Sequence, residues 1–265
     1  MGLPVGGFGA VAPEPSGIRP LTRAHAHNDY EHTRPLLDAL DQGFCSIEAD
    51  IYLVDGQLLV AHERSQVQPG RTLAALYLEP LRQRIRANGG RVYRGGPTVV
   101  LLVDVKTDAQ ATYGVLHETL KSFSEILTVF REGRVDAGAV TVIVSGNRAR
   151  DIVVAQTVRF AALDGRKKDL GSSVSPLLVP WVSEDWNAIF PWRWEGPMPD
   201  ETRTLLRQWI AKAHAGGQQV RFWNTPDRPE AWRVLFEAGV DWIGTDDLSG
   251  LKDFLRARPV PAGAR

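Results

Sequence analysis

Cysteine is nearly absent from this chain of 265 residues. Its one thiol, Cys45, cannot close an intramolecular disulfide, so the fold must rest on a core, and the pattern is compatible with a reducing compartment. Net charge is absent too. Thirty-one basic residues cancel 31 acidic ones, leaving no global field to hold the protein on nucleic acid or an anionic membrane. Any anion must be bound by a local site. No apolar run approaches the roughly 20 residues that span a bilayer, and the opening residues lack a basic segment followed by a long apolar one. We expect no nucleic-acid partner, no transmembrane segment and no export signal in the sequence as it stands. That reading is cytoplasmic, or exported should a leader precede residue 1. Nucleotide-binding glycine loops, DNA-binding motifs and serine-nucleophile elbows are missing as well.

What is present is the composition of an ordinary folded domain, 43% hydrophobic and 23% charged, at the length of one closed α/β barrel. Short apolar runs alternate with segments of helical period, the pattern of a parallel sheet covered by helices. Strands are expected at residues 20–27, 46–52, 98–106, 139–145, 157–163, 177–182, 219–224 and 242–245. Helices are expected at 34–40, 73–86, 109–131, 148–156, 200–215, 229–238 and 248–256. Eight alternations predict an α/β protein, a single-domain (β/α)8 TIM barrel over 20–257, with flexible segments at 1–19 and 258–265 rich in Gly, Ala and Pro. The dipeptide Asp55-Gly56 between two alternating runs signals a hairpin that returns His62 toward the strand carrying Glu48.

Barrel active sites form at the C-terminal ends of the strands, and the polar residues fall there. Glu48 and Asp50 stand two apart on one strand and so share a face; Asp104 and Lys106 repeat the spacing after a very apolar run. Three converging carboxylates make a hard oxygen site for one divalent cation, Mg2+ or Ca2+, rather than zinc. Alone, such carboxylates are as readily a structural network paired with Lys106 or arginines. The histidines tilt the reading. His25 and His27 end the first strand and His62 follows the hairpin, all three at the expected mouth, where imidazoles serve as general acid and base. Lys106 is placed to neutralise a phosphoryl oxygen.

His32 lies in a loop that reaches the site or caps the next helix, and His117 and His214 read as outer-layer residues. Trp223 is a candidate pocket wall, with Asn28, Asn224 and Asp246 as candidate hydrogen-bonding groups; for Asp246 and Asp247 the favoured reading is capping of the following helix. Four of the eight tryptophans, Trp181, Trp186, Trp192 and Trp194, cluster in one loop, as packing or as a lid over an apolar substrate portion.

The order His25, Glu48-Ala49-Asp50, His62, Asp104-Val105-Lys106, Trp223 and Gly239-Val240-Asp241-Trp242-Ile243-Gly244-Thr245-Asp246 resembles the glycerophosphodiester phosphodiesterase family, within the phosphatidylinositol-phospholipase-C-like superfamily. The run His25-Ala26-His27-Asn28-Asp29-Tyr30, with Leu59-Val60-Ala61-His62-Glu63, looks most like a branch that includes a fungal protein named for altered inheritance of mitochondria. The resemblance spans nearly the whole barrel. It implies a phosphodiesterase with two catalytic histidines and a Mg2+ or Ca2+ ion: Glu48, Asp50 and Asp104 as metal ligands, His62 as one histidine, His25 or His27 as the other with His25 slightly favoured, and Lys106 as a phosphate contact.

Three departures stand out: the usual His-Arg-Gly opening is His25-Ala26-His27, the Asp after the second histidine is Glu63, and the third ligand is Asp where Glu is common. No long insertion follows His62 to form the family's small extra subdomain. The expected activity is hydrolysis of a phosphodiester, a glycerophosphodiester or a lipid head group. One rival is an amidohydrolase, whose zinc sites also open with His-x-His but need further histidines at the ends of strands five and six. The other is a barrel without catalysis that serves as a binding module.

Overall fold

The computed structural model describes residues 17–258, so most of the segments 1–19 and 258–265 lies outside the described residues. Twelve strands follow in chain order: β1 (Leu21–Ala26), β2 (Phe44–Val54), β3 (Gln57–Val60), β4 (Val99–Val105), β5 (Val129–Arg131), β6 (Arg134–Asp136), β7 (Val140–Gly146), β8 (Val158–Arg159), β9 (Ala161–Gly165), β10 (Trp181–Asp185), β11 (Gln219–Trp223) and β12 (Trp242–Thr245). Eight of them pair in parallel around the order β1-β2-β4-β7-β9-β10-β11-β12, and β12 returns to β1. The sheet is therefore a closed TIM barrel, as expected from the alternation. Closure removes both sheet edges and leaves one apolar surface for the helices to cover.

Alternation within the strands does the rest. Along β2, Cys45, Ile47, Ala49 and Ile51 are buried on the helix-facing side, while Ser46, Glu48 and Asp50 take the opposite face, toward the barrel axis. Asp55 and Gly56, both at positive φ (48° and 75°), make the tight turn into β3, which pairs antiparallel with the end of β2. Helices Asp200–Ala215, Pro229–Ala238 and Leu248–Arg256 have the bounds read from the sequence. Among the described residues no helix is long and apolar enough to cross a membrane.

Three readings are corrected. The helix expected over 109–131 ends at Lys121, and β5, β6 and β8 form a small antiparallel sheet beside the barrel. Thr128-Val129-Phe130 is β-forming, and Glu132-Gly133, with Gly133 at φ 67°, supplies the turn. The strand expected over 157–163 is divided between that sheet and the barrel. The sixth barrel strand starts at Trp181, four residues later than expected, directly after Pro180, which has no N–H for the ladder.

Candidate active site

The barrel axis carries a polar column where most such barrels stack aliphatic side chains. At its base His25 is wholly buried. Its Nδ1 lies 2.7 Å from Ser46 Oγ and its Nε2 2.9 Å from Glu48 Oε2, so the neutral ring accepts from the serine and donates to the carboxylate. Arg221 reaches the same Oε2 from β11 across the interior, at 2.7 Å. Burial and the neighbouring guanidinium push His25 down to about 3. Glu48 is held below the carboxylate range: burial works against its charge, but Arg221 and the bond from His25 outweigh it. Both nitrogens of His25 are thus committed, and the expectation that it stands at the mouth is corrected.

Above this layer Asp50 and Asp104 sit side by side in register on β2 and β4. Lys106 Nζ bridges them, 3.0 Å from Asp50 Oδ2 and 3.2 Å from Asp104 Oδ1. Gly146, at φ 65°, lets the β7 chain pass over this pair, since a Cβ there would collide with Asp104 Oδ1. One oxygen each of Glu48, Asp50 and Asp104 lies within 4.8 Å of the others. Burial and the charge of Glu48 push Asp50 up to about 7, and burial raises Asp104. Among the described residues Asp50 Oδ1 is buried without a hydrogen-bond partner. Crowded oxygens, one of them orphaned, are what a hard divalent cation would relieve, so the residues fit an ion of the Mg2+ or Ca2+ kind.

Two histidines at the mouth are accessible. His27, with a side chain 37% exposed, places Nδ1 2.8 Å from Asp246 Oδ1. Burial alone would lower its proton affinity; the Asp246 bond and the charge of Glu48 raise it. His62, 48% exposed, is returned by the hairpin to 3.9 Å from Asp50 Oδ2, and its Nδ1 lies 3.0 Å from the Tyr30 hydroxyl. That hydroxyl has one proton and also lies 2.7 Å from Asn28 Oδ1 and 2.8 Å from Asp50 Oδ2. When it donates to either oxygen, His62 must supply the Nδ1 proton, which leaves Nε2 as the free base.

Asn28, at φ 46°, also donates to Asp246 at 3.3 Å. Capping of the last helix falls to Asp247 alone, whose side chain accepts from Gly250 N, so the capping reading of Asp246 is corrected. Trp223 forms a wall with the Arg166 guanidinium 5.0 Å from its ring centre.

The tryptophan loop is packing, not a lid: Trp186 is wholly buried, 4.3 Å from Trp194 and edge-on to Phe222, and Trp181 stacks on Trp242 inside the barrel. His32 Nε2 is buried without a partner among the described residues, His117 bonds Gln156, and His214 pairs with Asp241. The last two lie on helices, away from the ends of the fifth and sixth barrel strands where an amidohydrolase would need them.

The sequence reading missed Arg221, Tyr30 and Ser46. Arg221 stands two residues before Trp223, hence on the same face, and Ser46 two before Glu48; that spacing was the available signal. Tyr30 had none, because its role depends on a turn folding over Asp50.

A family profile described as "AIM6-like phosphodiesterase domain" matches residues 16–164, and one described as "Glycerophosphoryl diester phosphodiesterase family" matches 219–249. The altered inheritance of mitochondria protein 6 homolog of Arthroderma benhamiae is 30% identical over 90% of this chain and 85% of its own length. The protein of that name from Lachancea thermotolerans is 31% identical over 91% and 68%. Among solved structures, a glycerophosphodiester phosphodiesterase from Parabacteroides distasonis superposes with a TM-score of 0.56 at 14% identity, covering 89% of this chain and 97% of that one. A calcium-dependent phosphoinositol-specific phospholipase C from a Pseudomonas species gives 0.55 at 11%, covering 86% and 89%. These two likenesses carry the fold.

Proposed function

Since the chain belongs to the family of AIM6-like phosphodiesterase domains, we propose that its barrel mouth hydrolyses a phosphodiester by general acid–base catalysis between His62 and His27. The observation that carries this reading is the state of the two imidazoles. Each has Nδ1 tied into a carboxylate-linked hydrogen bond and Nε2 left for chemistry, beside three convergent carboxylates.

His62 Nε2 takes the proton of the attacking oxygen, from water or from a neighbouring substrate hydroxyl, while Tyr30 holds the ring through Nδ1. A P–O bond forms to that oxygen and the P–O bond to the leaving group breaks. His27, whose proton affinity is raised, delivers the proton from Nε2 to the departing alkoxide. Lys106 Nζ holds a non-bridging phosphoryl oxygen. Glu48, Asp50 and Asp104 would hold one divalent cation, Mg2+ or Ca2+, which when bound polarises the phosphoryl group as a Lewis acid. His25 and Arg221 act from below as positioning residues, fixing and charging Glu48.

The test is turnover of bis(p-nitrophenyl) phosphate and of glycerophosphodiesters by EDTA-treated protein, with Mg2+, Ca2+, Mn2+ or Zn2+ restored, beside His27→Ala and His62→Ala. We expect turnover with Mg2+ or Ca2+ that both variants lose. No turnover in any condition, together with no ion uptake by calorimetry, would make this a barrel that binds and does not cut.

A further inference from the structure

The mouth has two lobes of opposite character on either side of the carboxylates. Beyond β11 and β12 lies a cleft of ≈ 220 Å³ in which His27 and Arg221 are balanced by the carboxylates of Asp227 and Asp246, beside Trp223 and Asn224, a mixed polar surface suited to hydroxyl groups. Beyond β4, β7 and β9 lies an open cleft of ≈ 700 Å³ lined by Lys106, Arg148, Arg150 and Lys168. Its one carboxylate among the described residues, Asp108, is turned to cap the helix Ala109–Lys121 by accepting from Ala111 N at 2.9 Å.

The cations of the larger cleft are unequally answered. Lys106 faces Asp50 and Asp104, and Arg150 pairs with Asp169 at 2.8 Å. Arg148 is half-buried and donates to the backbone carbonyl of Asp164, a neutral acceptor; the carboxylate of Asp164 goes to Arg166 and Ser145. Lys168 is exposed and makes no ion pair among the described residues. Arg148 feels Arg166 and Arg150 as like charges and Asp164 and Asp169 as opposite ones, but both carboxylates are already engaged by Arg166 and Arg150, so an anion entering the cleft meets cations with donors to spare.

We infer that the larger cleft binds a second anionic group of the substrate, a phosphate monoester on the alcohol next to the scissile diester. The inference rests on the proposed phosphodiesterase activity, and Lys106 is the link, since it borders both the carboxylates and the cleft. A diester phosphate held by Lys106 directs one of its two alcohol arms into the basic lobe and the other into the hydroxyl-suited lobe. A phosphate monoester offers three acceptor oxygens and nearly two charges, which matches Arg148 and Lys168 with Arg150 behind them.

The matched probes are glycerophosphoinositol and its 4-phosphate, compared by kcat/KM with the metal that supports turnover. We expect the phosphorylated diester to be preferred by about tenfold, as charge-assisted bonds to one added phosphate allow. Arg148→Gln and Lys168→Gln should bring that ratio toward one while leaving turnover of the unphosphorylated diester unchanged. Lys168 is exposed, so its variant keeps the test valid if Arg148→Gln misfolds. A wild-type ratio of one or less, or a ratio that neither variant moves, overturns the inference. Phosphatidylinositol 4-phosphate against phosphatidylinositol in mixed micelles distinguishes a lipid source of the same head group from a soluble one.

Calorimetric titration of EDTA-treated protein with inorganic pyrophosphate separates this inference from the activity. Should no diester be cut, the hydrolase reading fails, and the titration then decides: binding lost in Lys168→Gln but kept in His62→Ala supports the anion cleft, and absence of binding removes it.

Discussion

His25 and His27 stand two residues apart, about 6.6 Å along an extended chain, and the barrel treats them oppositely. His25 is sealed in the interior with both nitrogens committed to Ser46 and Glu48 and its proton affinity pushed far down. His27 opens to the mouth, is held by Asp246 and has its affinity raised. The difference is one of depth: where no water reaches, a histidine next to an arginine stays neutral and serves as a hydrogen-bonding spacer. Where water and a carboxylate at the rim are at hand, the same side chain holds its proton more firmly and keeps Nε2 open to solvent. One layer of this barrel is dry and fixed by hydrogen bonds, and the layer above it meets solvent.

The sharpest way to break that comparison is at Glu48, which belongs to both layers. Glu48→Ala leaves Arg221 buried without its carboxylate and should cost about 3–5 kcal/mol of stability, read as a lower urea midpoint, with loss of diesterase turnover. Next, His27→Ala and His62→Ala should each lower kcat by roughly 10²–10⁴ with urea midpoints close to wild type, whereas His25→Asn should shift the midpoint. A folded, fully stable His25→Asn protein without turnover would place His25 in the chemistry and erase the contrast.

A third test uses another buried carboxylate. Asp29 accepts from Leu36 N and from the Tyr77 hydroxyl and makes no ion pair among the described residues, so burial pushes its carboxyl up to about 7. Its folded value lies above its unfolded value. Its contribution to stability is therefore full below about pH 4 and is lost as pH rises through 7, a change on the order of a few kcal/mol. Asp29→Asn should flatten melting temperature against pH over that window. Glu48 works in the other direction: ionised when folded, it loses its contribution as pH falls below the usual carboxylate range. The smallest effect expected is for Asp246→Asn, which removes the anion on His27 and should move the limb of the pH–rate profile that reports His27 to lower pH without altering stability.

The site was legible where it depended on neighbours in sequence. Glu48 and Asp50 share a face because a strand repeats every two residues, and Asp55-Gly56 could turn the chain only one way, so His62 came back beside Asp50. Reading stopped where residues alike in type differ in depth or in reach. Asp246 and Asp247 are equivalent candidates for a cap by composition, yet one caps and the other crosses to His27. The tryptophan-rich loop reads as a lid or as packing with equal ease, and only Phe222 beneath Trp186 decides it.

The sequence by itself determined the barrel, the face that carries the carboxylates and the family, because each is written in periods and motifs a few residues long. Tertiary structure alone decided which histidine is sealed and which is free, and it brought Arg221 to Glu48 across 173 residues of chain. Such contacts exist only once the sheet has closed, when a step of two residues along one strand becomes the distance between a dry interior and water.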